Sequence, residues 1–476
     1  MKITTIESLH ADGGWRNLDF LKISTDEGLV GWSEYNESFG GVGVSAAIAG
    51  LAPALIGTDP RPWEAHVALL YALRRQAAGG VIQQAIGAIE NALLDIKARS
   101  LGVPVYSLFG GPVRDRIRLY WSHCATYRVS RAKEMQIPPV RTLADIVAVG
   151  REVVAKGYTA LKTNVLLLGD TPRAHVPGFG RSAGFPELNA DRHVLDAMRA
   201  ELAAFREGAG PDMDILVDLN FNYKTEGFLK MARAMEPYDL FWVEMDTRDP
   251  KALAYVRSRT TIPVASCECL FGRRDYRPFF EHQAVDVAII DTPWNGVGES
   301  LKIAAMADTY EINVAPHNFY GHLATMMNAH WSAVVPNLRI METDPDMVPW
   351  QDDRDAADQG RSAAPSHRAR LGHRGERRSG PRSPAEDAWI ARRALSGGAQ
   401  RAGHDLLRLA HDGLEVRGVP ETLRVDLVDV LRPGGSRREP AARGHHLQPA
   451  DRRVVAGRPG ERGGDGLARE LRRRDR

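Results

Sequence analysis

Apolar residues Ile3, Ile6 and Leu9 are followed by an apolar-rich run over 18–23, a polar turn Thr25-Asp26-Glu27-Gly28, and a return through Leu29, Val30 and Trp32. Alternation on both sides of a Gly-bearing turn predicts a β-hairpin. From Val81 the pattern changes: Ile82, Ile86, Ile89, Leu93 and Leu94 recur every three or four positions. That period places them on one face of a helix, which Gly102 and Pro104 end. Residues 1–115 therefore read as a small α+β domain.

Beyond this point the apolar runs become short, and each is followed by a helical stretch. The predicted strands are 117–121, 158–161, 215–217, 240–243, 264–266, 285–290, 313–315 and 337–341. Eight strands alternating with helices over 116–353 imply a parallel α/β barrel. Polar residues at the strand ends supply a check on the period: Asp218, Glu244, Glu268, Asp291, His317 and Glu342 follow one another at intervals of 26, 24, 23, 26 and 25. Each interval is one strand-plus-helix unit. Lys162 precedes Asp218 by 56, because an insertion over 166–186 intervenes before a helix near 194–205. A loop of that length beside the strand tops is a candidate lid.

In a closed parallel barrel the C-terminal strand ends meet at one mouth. Asp218, Glu244 and Glu268 end three successive strands, and three carboxylates so placed repel unless a cation lies between them. All-oxygen ligation favours a hard ion such as Mg²⁺. His317 and Asp291 end adjacent strands, and a carboxylate beside an imidazole fixes its tautomer and raises its basicity, as a general base requires. Lys162 brings a positive charge to the same mouth, and Glu342 closes the circle. Cys267 and Cys269 flank Glu268; an extended backbone would turn the carboxylate inward and both thiols toward the outer helices.

These residues resemble the mandelate racemase subgroup of the enolase superfamily across roughly 1–353. The likeness rests on Ile89-Glu90-Asn91-Ala92-Leu93-Leu94-Asp95, Leu108-Phe109-Gly110-Gly111, Lys162-Thr163-Asn164, Asp218-Leu219-Asn220, Trp242-Val243-Glu244, Ser266-Cys267-Glu268, Asp291 and Pro316-His317-Asn318. The resemblance implies a modified TIM barrel, (β/α)₇β, under an N-terminal α+β capping domain. It further implies one Mg²⁺ per subunit on Asp218, Glu244 and Glu268, a base dyad of His317 and Asp291, and substrate contacts from Asn220 and Glu342. Even-numbered homo-oligomers are common in such a family.

The chemistry implied is removal of the proton α to a carboxylate, with Mg²⁺, Lys162 and a protonated Glu342 stabilising the enediolate. Racemases of the subgroup carry a second base in a Lys-x-Lys motif; here that position is Asn164, which cannot exchange a proton and is left as a substrate contact. One strong base suffices for elimination, so the expected reaction is dehydration of an acid sugar to a 2-keto-3-deoxy acid, with a racemase or epimerase of a 2-hydroxy acid as the alternative. The acid for the leaving hydroxyl is open. Related dehydratases often place a His two residues after the first metal ligand, where this chain has Asn220; His317 acting twice, or His175 and Tyr223, are the candidates. Trp15 and Arg16 in the first loop, with Arg173 and Arg181 in the insertion, are candidates for reading the substrate.

Charge divides the 476 residues unevenly. Residues 354–476 hold 27 Arg, no Lys and 17 acidic residues, a net of +10, which leaves −8 for the first 353. An acidic body argues against a nucleic-acid surface. The tail lacks Lys, Phe, Tyr, Met, Cys and Asn, so no foldable core is evident in it. A frame-shifted origin in GC-rich DNA is favoured over a basic arm, and because a capping segment normally follows the eighth strand, an inactive remnant is a third functional reading. Three cysteines without a C-x-x-C pair, no signal-peptide core and no eighteen-residue apolar run point to a reduced, cytoplasmic protein with no membrane partner.

Overall fold

The computed structural model describes residues 1–39, 41–179 and 188–347, with the backbone of two short strands in the tail. β1 (Ile3–Asp12), β2 (Asn17–Thr25) and β3 (Val30–Tyr35) form an antiparallel sheet in that order. Gly28, at φ 81°, makes the predicted turn in a conformation that an L side chain resists. Helices α1 (Val44–Leu51), α2 (Trp63–Leu73) and α3 (Gly80–Leu101) follow, and α3 ends at Gly102, whose N–H bonds the carbonyls of Ala98 and Arg99.

The sequence gives α3 one apolar face, but its middle, from Gln84 to Ile96, is buried all round. The reason is a second contact surface. Asn91 accepts from Val297 N–H at 2.9 Å and donates to the Thr292 carbonyl at 3.2 Å, and Glu90 accepts from Gly298 N–H. Asp95 accepts from Trp32 N–H of β3 at 3.0 Å. A Cβ at Gly87 would come within 2.9 Å of Gly296 N and the Trp294 carbonyl. The polar residues of this helix thus bind the sheet on one side and the barrel on the other.

The barrel strands are β4 (Arg116–Trp121), β5 (Ala160–Thr163), β8 (Asp214–Asp218), β9 (Trp242–Glu244), β10 (Val264–Ser266), β11 (Val287–Asp291), β12 (Asn313–His317) and β13 (Met341–Thr343); between β5 and β8 the insertion forms a small hairpin of β6 (Leu166–Leu167) and β7 (Arg173–Ala174). The eight are parallel neighbours from β4 round to β12, and β13 pairs with β4. Between β12 and β13 only the Val314–Leu338 bridge is present among the described residues, so the barrel is nearly closed. The last strand starts later than its apolar run suggests, at Met341.

Helices α4 (Thr126–Ser130), α5 (Ala132–Met135), α6 (Leu143–Ala155), α7 (Arg192–Ala209), α8 (Thr225–Met235), α9 (Pro250–Arg257), α10 (Gly272–Glu281), α11 (Thr292–Asn295), α12 (Val297–Thr309) and α13 (His322–Val334) make up the outer layer. Glu34 of β3 accepts from Gly321 and Ala324 N–H at 2.6 and 2.9 Å, which fastens the first turn of α13 to the N-terminal sheet. Tyr120, Ala160, Leu216, Trp242, Ala265, Val287, Ile289, Ala315 and Ile340 fill the barrel interior as a separate apolar cluster. In the tail, β14 (Leu406–Ala410) and β15 (Gly413–Arg417) pair as a hairpin, with β14 antiparallel to the start of β4. The remaining tail and Arg181 lie outside the described residues. Among those described, no helix is long and apolar enough to cross a membrane.

Candidate active site

Side chains alternate along a strand, so a residue two beyond an interior one points the same way. Ala160, Leu216, Trp242, Ile289, Ala315 and Ile340 are interior, and Lys162, Asp218, Glu244, Asp291, His317 and Glu342 stand two places beyond them. All six are buried at the C-terminal mouth.

Glu268 arrives by a different route. Counting from interior Ala265 would turn it outward, but β10 stops at Ser266 and Cys267 takes φ 94°. That kink reverses the phase. Cys267 enters the outer apolar cluster and Glu268 reaches the centre. Cys269 corrects the expectation of two outward thiols: its Sγ lies 3.8 Å from Glu268 Oε1, beside the site. Burial pushes both thiols above their ordinary range, which suits neither to act as a nucleophile.

One oxygen each of Asp218, Glu244 and Glu268 lies within 4.8 Å of the others. Burial, with Asp246, Glu244 and Asp218 nearby, drives the Glu268 pKa well up, and burial also raises that of Glu244. Glu244 Oε1 is buried without a hydrogen-bond partner among the described residues. An unpartnered oxygen in an all-carboxylate set fits a hard divalent cation.

Lys162 Nζ lies 3.0 Å from Glu244 Oε2, 2.9 Å from Glu342 Oε1 and 3.9 Å from Asp218 Oδ2. Burial disfavours its charge, but Glu244 and Glu342 outweigh burial and hold its pKa well above the ordinary value. Glu342 was expected protonated, and the structure corrects this. Although burial raises its pKa, Lys162 and then His317 and His123 bring it down to about 2. Its oxygens also accept from Ser122 Oγ and, at 2.6 Å, from Asn318 N–H. It is an ionised partner of Lys162 and not a donor.

His317 Nδ1 meets Asp291 Oδ2 at 2.6 Å, and its Nε2 faces Glu268 Oε2 at 3.4 Å. Asp291 also accepts from Tyr320 Oη and from Trp294 N–H at 2.8 Å. Burial opposes a charged imidazole, but Asp291 outweighs it and the His317 pKa is raised.

Asn164 and Asn220 stand behind Asp218. Asn220 donates from Nδ2 to Asp218 Oδ2 and from its backbone N to Oδ1, both at 2.8 Å. Asn164 Nδ2 donates to the Asp218 carbonyl at 3.1 Å and to Asn220 Oδ1 at 3.3 Å, while its own Oδ1 accepts from Thr126. The Asn220 bonds fix the Asp218 carboxylate, and Asn164 braces Asn220. Arg16 donates to the Phe319 carbonyl and lies 4.0 Å from Asp344, with its guanidinium 4.7 Å from the Trp15 ring centroid. The first loop is thereby tied to the strand tops. Arg173 is exposed in β7. His175 and Tyr223 meet each other, with ring centroids 6.1 Å apart, and their polar tips have no hydrogen-bond partner among the described residues.

Sequence reasoning missed Ser122, His123, Asp246, Tyr320 and Asp344. Asp246 lies two beyond Glu244, a parity that could have found it; burial, Glu244 and Asp218 push its pKa up to about 7.

Residues 14–110 match the mandelate racemase / muconate lactonizing enzyme N-terminal domain, and residues 145–363 match the enolase C-terminal domain-like family. A D-galactonate dehydratase of Ralstonia nicotianae is 31% identical over 72% of this chain and 81% of its own length. A D-xylonate dehydratase of Haloferax volcanii is 30% identical over 74% and 81%. Among solved structures, a protein of Burkholderia xenovorans strain LB400, provisionally named L-alanine-DL-glutamate epimerase, is 52% identical with a TM-score of 0.72, covering 74% of this chain and 90% of that one. The same protein has also been solved with magnesium and fumarate bound.

Proposed function

The chain belongs to the mandelate racemase / muconate lactonizing enzyme family of the enolase superfamily, and we propose that it dehydrates an acid sugar to a 2-keto-3-deoxy acid. Residues 1–115 serve as cap and 116–353 as catalytic barrel, in a homo-oligomer with one Mg²⁺ per subunit. When bound to Asp218, Glu244 and Glu268, the ion supplies positive charge beside the substrate carboxylate.

His317 takes the α-proton on Nε2, since Nδ1 is engaged by Asp291. Lys162, kept charged by Glu244 and Glu342, faces the negative charge that develops on the carboxylate oxygens. Burial of these groups excludes water and strengthens each interaction. Loss of the β-hydroxyl then completes the reaction.

The observation that carries dehydration over racemisation is Asn164. It occupies the place of a second base, and its amide is committed to Thr126, Asp218 and Asn220. A 1,1-proton transfer needs bases on both faces of the α-carbon, whereas elimination needs one. The 52% identity to the Burkholderia protein favours epimerisation as the second reading. The test is turnover of purified chain with Mg²⁺ against aldonic, uronic and aldaric acids. Dehydration predicts a 2-keto-3-deoxy product that His317→Asn abolishes. Exchange of the α-proton with D₂O and inversion without loss of water would establish the second reading instead.

A further inference from the structure

Elimination leaves one chemical requirement unassigned. Hydroxide is a poor leaving group, so a proton must reach the β-oxygen as the Cβ–O bond breaks. We propose that His123, positioned by Asp344, donates it; this rests on the dehydratase reading above.

His123 follows β4, on the Lys162 and Glu342 side of the mouth. Its neighbour Ser122 donates to Glu342 and lies 3.1 Å from His123 Nδ1. The same Nδ1 faces Asp344 Oδ2 at 3.6 Å. Asp344, two residues beyond Glu342, is fully buried, whereas the His123 side chain is 18% exposed. Tyr127 stacks on the imidazole, with centroids 4.5 Å apart and planes 13° off parallel, so the ring is held flat. With Nδ1 turned to Ser122 and Asp344, Nε2 is the nitrogen left, and it has no hydrogen-bond partner among the described residues. Phe319 packs near both histidines, with its ring centroid 6.3 Å from that of His123 and 5.1 Å from that of His317. The two imidazoles thus share Phe319 as a neighbour at the strand tops, which suits a base and an acid acting at different carbons of one substrate. His175 and Tyr223 lack such a link to Lys162, Glu342 or His317 among the described residues.

His317 Nε2 accepts the α-proton, and the electron pair of the broken Cα–H bond becomes the Cα–Cβ double bond. The Cβ–O pair leaves with the hydroxyl, which takes the proton from His123 Nε2 and departs as water. The enol becomes the ketone by moving a proton from oxygen to carbon. His317 returns its proton to solvent and partly exposed His123 regains one.

The test uses full-length protein with Mg²⁺ and whichever acid sugar the screen identifies, together with its 3-deoxy-3-fluoro analogue. Fluoride departs without a proton. His123→Asn should lose elimination of water by about a hundredfold or more, keep α-proton exchange in D₂O close to the wild-type rate, and still release fluoride from the analogue. His317→Asn should lose all three. Asp344→Asn should show the same split as His123→Asn, and it keeps the assignment testable if that variant does not fold. Water elimination unchanged in His123→Asn, or exchange and fluoride release lost in parallel with it, would overturn the assignment alone. A folded wild-type chain that exchanges the α-proton but releases no water, or that is inert toward every acid, overturns the dehydratase reading and this assignment together.

Discussion

His317 Nδ1 and Asp291 Oδ2 lie 2.6 Å apart, and this contact leaves Nε2 as the imidazole nitrogen turned to the carboxylate cluster, where Glu268 lies 3.4 Å away. Asp291 accepts three bonds, from His317, Tyr320 and Trp294 N–H. An amide at position 291 has one acceptor oxygen and an NH₂ that conflicts with these donors. Asp291→Asn should lower kcat by roughly 10²–10⁴-fold and slow α-proton exchange equally, with the fold retained by circular dichroism. An unchanged exchange rate would remove Asp291 from the base.

Much of this site was legible in the strand ends. A spacing near 25 marks one strand-plus-helix unit and selects Asp218, Glu244, Asp291, His317 and Glu342, whereas Lys162, 56 residues before Asp218, is reached only through the strand that it ends. Glu268 could be selected by spacing, but the positive φ at Cys267 that turns it inward has no signal in the residue itself. The ionised state of Glu342 was hidden for another reason: it depends on a 2.9 Å contact to Lys162, from the strand on the other side of β4, which no local pattern encodes. His123 and Asp344 escaped notice because their pairing joins the first and last strand tops, 221 residues apart in sequence. The burial of α3 on all sides was likewise set by tertiary contact, with Glu90, Asn91 and Asp95 as polar attachments on a helix whose period showed one face.

Three buried carboxylates with one unpartnered oxygen should make stability metal-dependent. Mg²⁺ at 100 times its Kd adds about 2.7 kcal/mol by mass action, so the Tm should rise with Mg²⁺ and fall back on chelation. Glu244→Gln removes one ligand charge and should weaken Mg²⁺ binding by at least about tenfold, or about 1.4 kcal/mol, by isothermal calorimetry. Equal affinity in the variant would place the ion elsewhere.

Arg16 ties the loop between β1 and β2 to the barrel through the Phe319 carbonyl and its approach to Asp344. Removing a buried charged donor costs roughly 1.5–3 kcal/mol. In Arg16→Ala the loop should dock less often, raising KM by about tenfold or more, while α-proton exchange at saturating substrate stays near wild type because His317 and Asp291 are untouched. A variant that lost kcat at unchanged KM would show that Arg16 acts on the reacting atoms instead of on the loop.

Glu90 gives the fold a pH dependence that can be isolated. Burial raises its pKa from 4.5 to about 8, with the Gly298 N–H acting in the opposite sense. The unfolded chain releases this proton near 4.5 and the folded chain only near 8, so the folded state binds more protons between those values. Its stabilising contribution is complete below 4.5 and is lost as pH rises through about 8, at about 1.4 kcal/mol per pH unit. Glu90→Gln keeps an oxygen to accept from Gly298 and removes the titration. Urea unfolding from pH 5 to 9 should therefore show wild type losing stability toward alkaline pH more steeply than the variant. Glu201, raised by burial to about 8 as well, remains in both proteins, so the difference between the two curves reports Glu90 alone. Parallel curves would mean that Glu90 is already ionised in the folded protein, and the contact with Gly298 would then have to carry a buried charge.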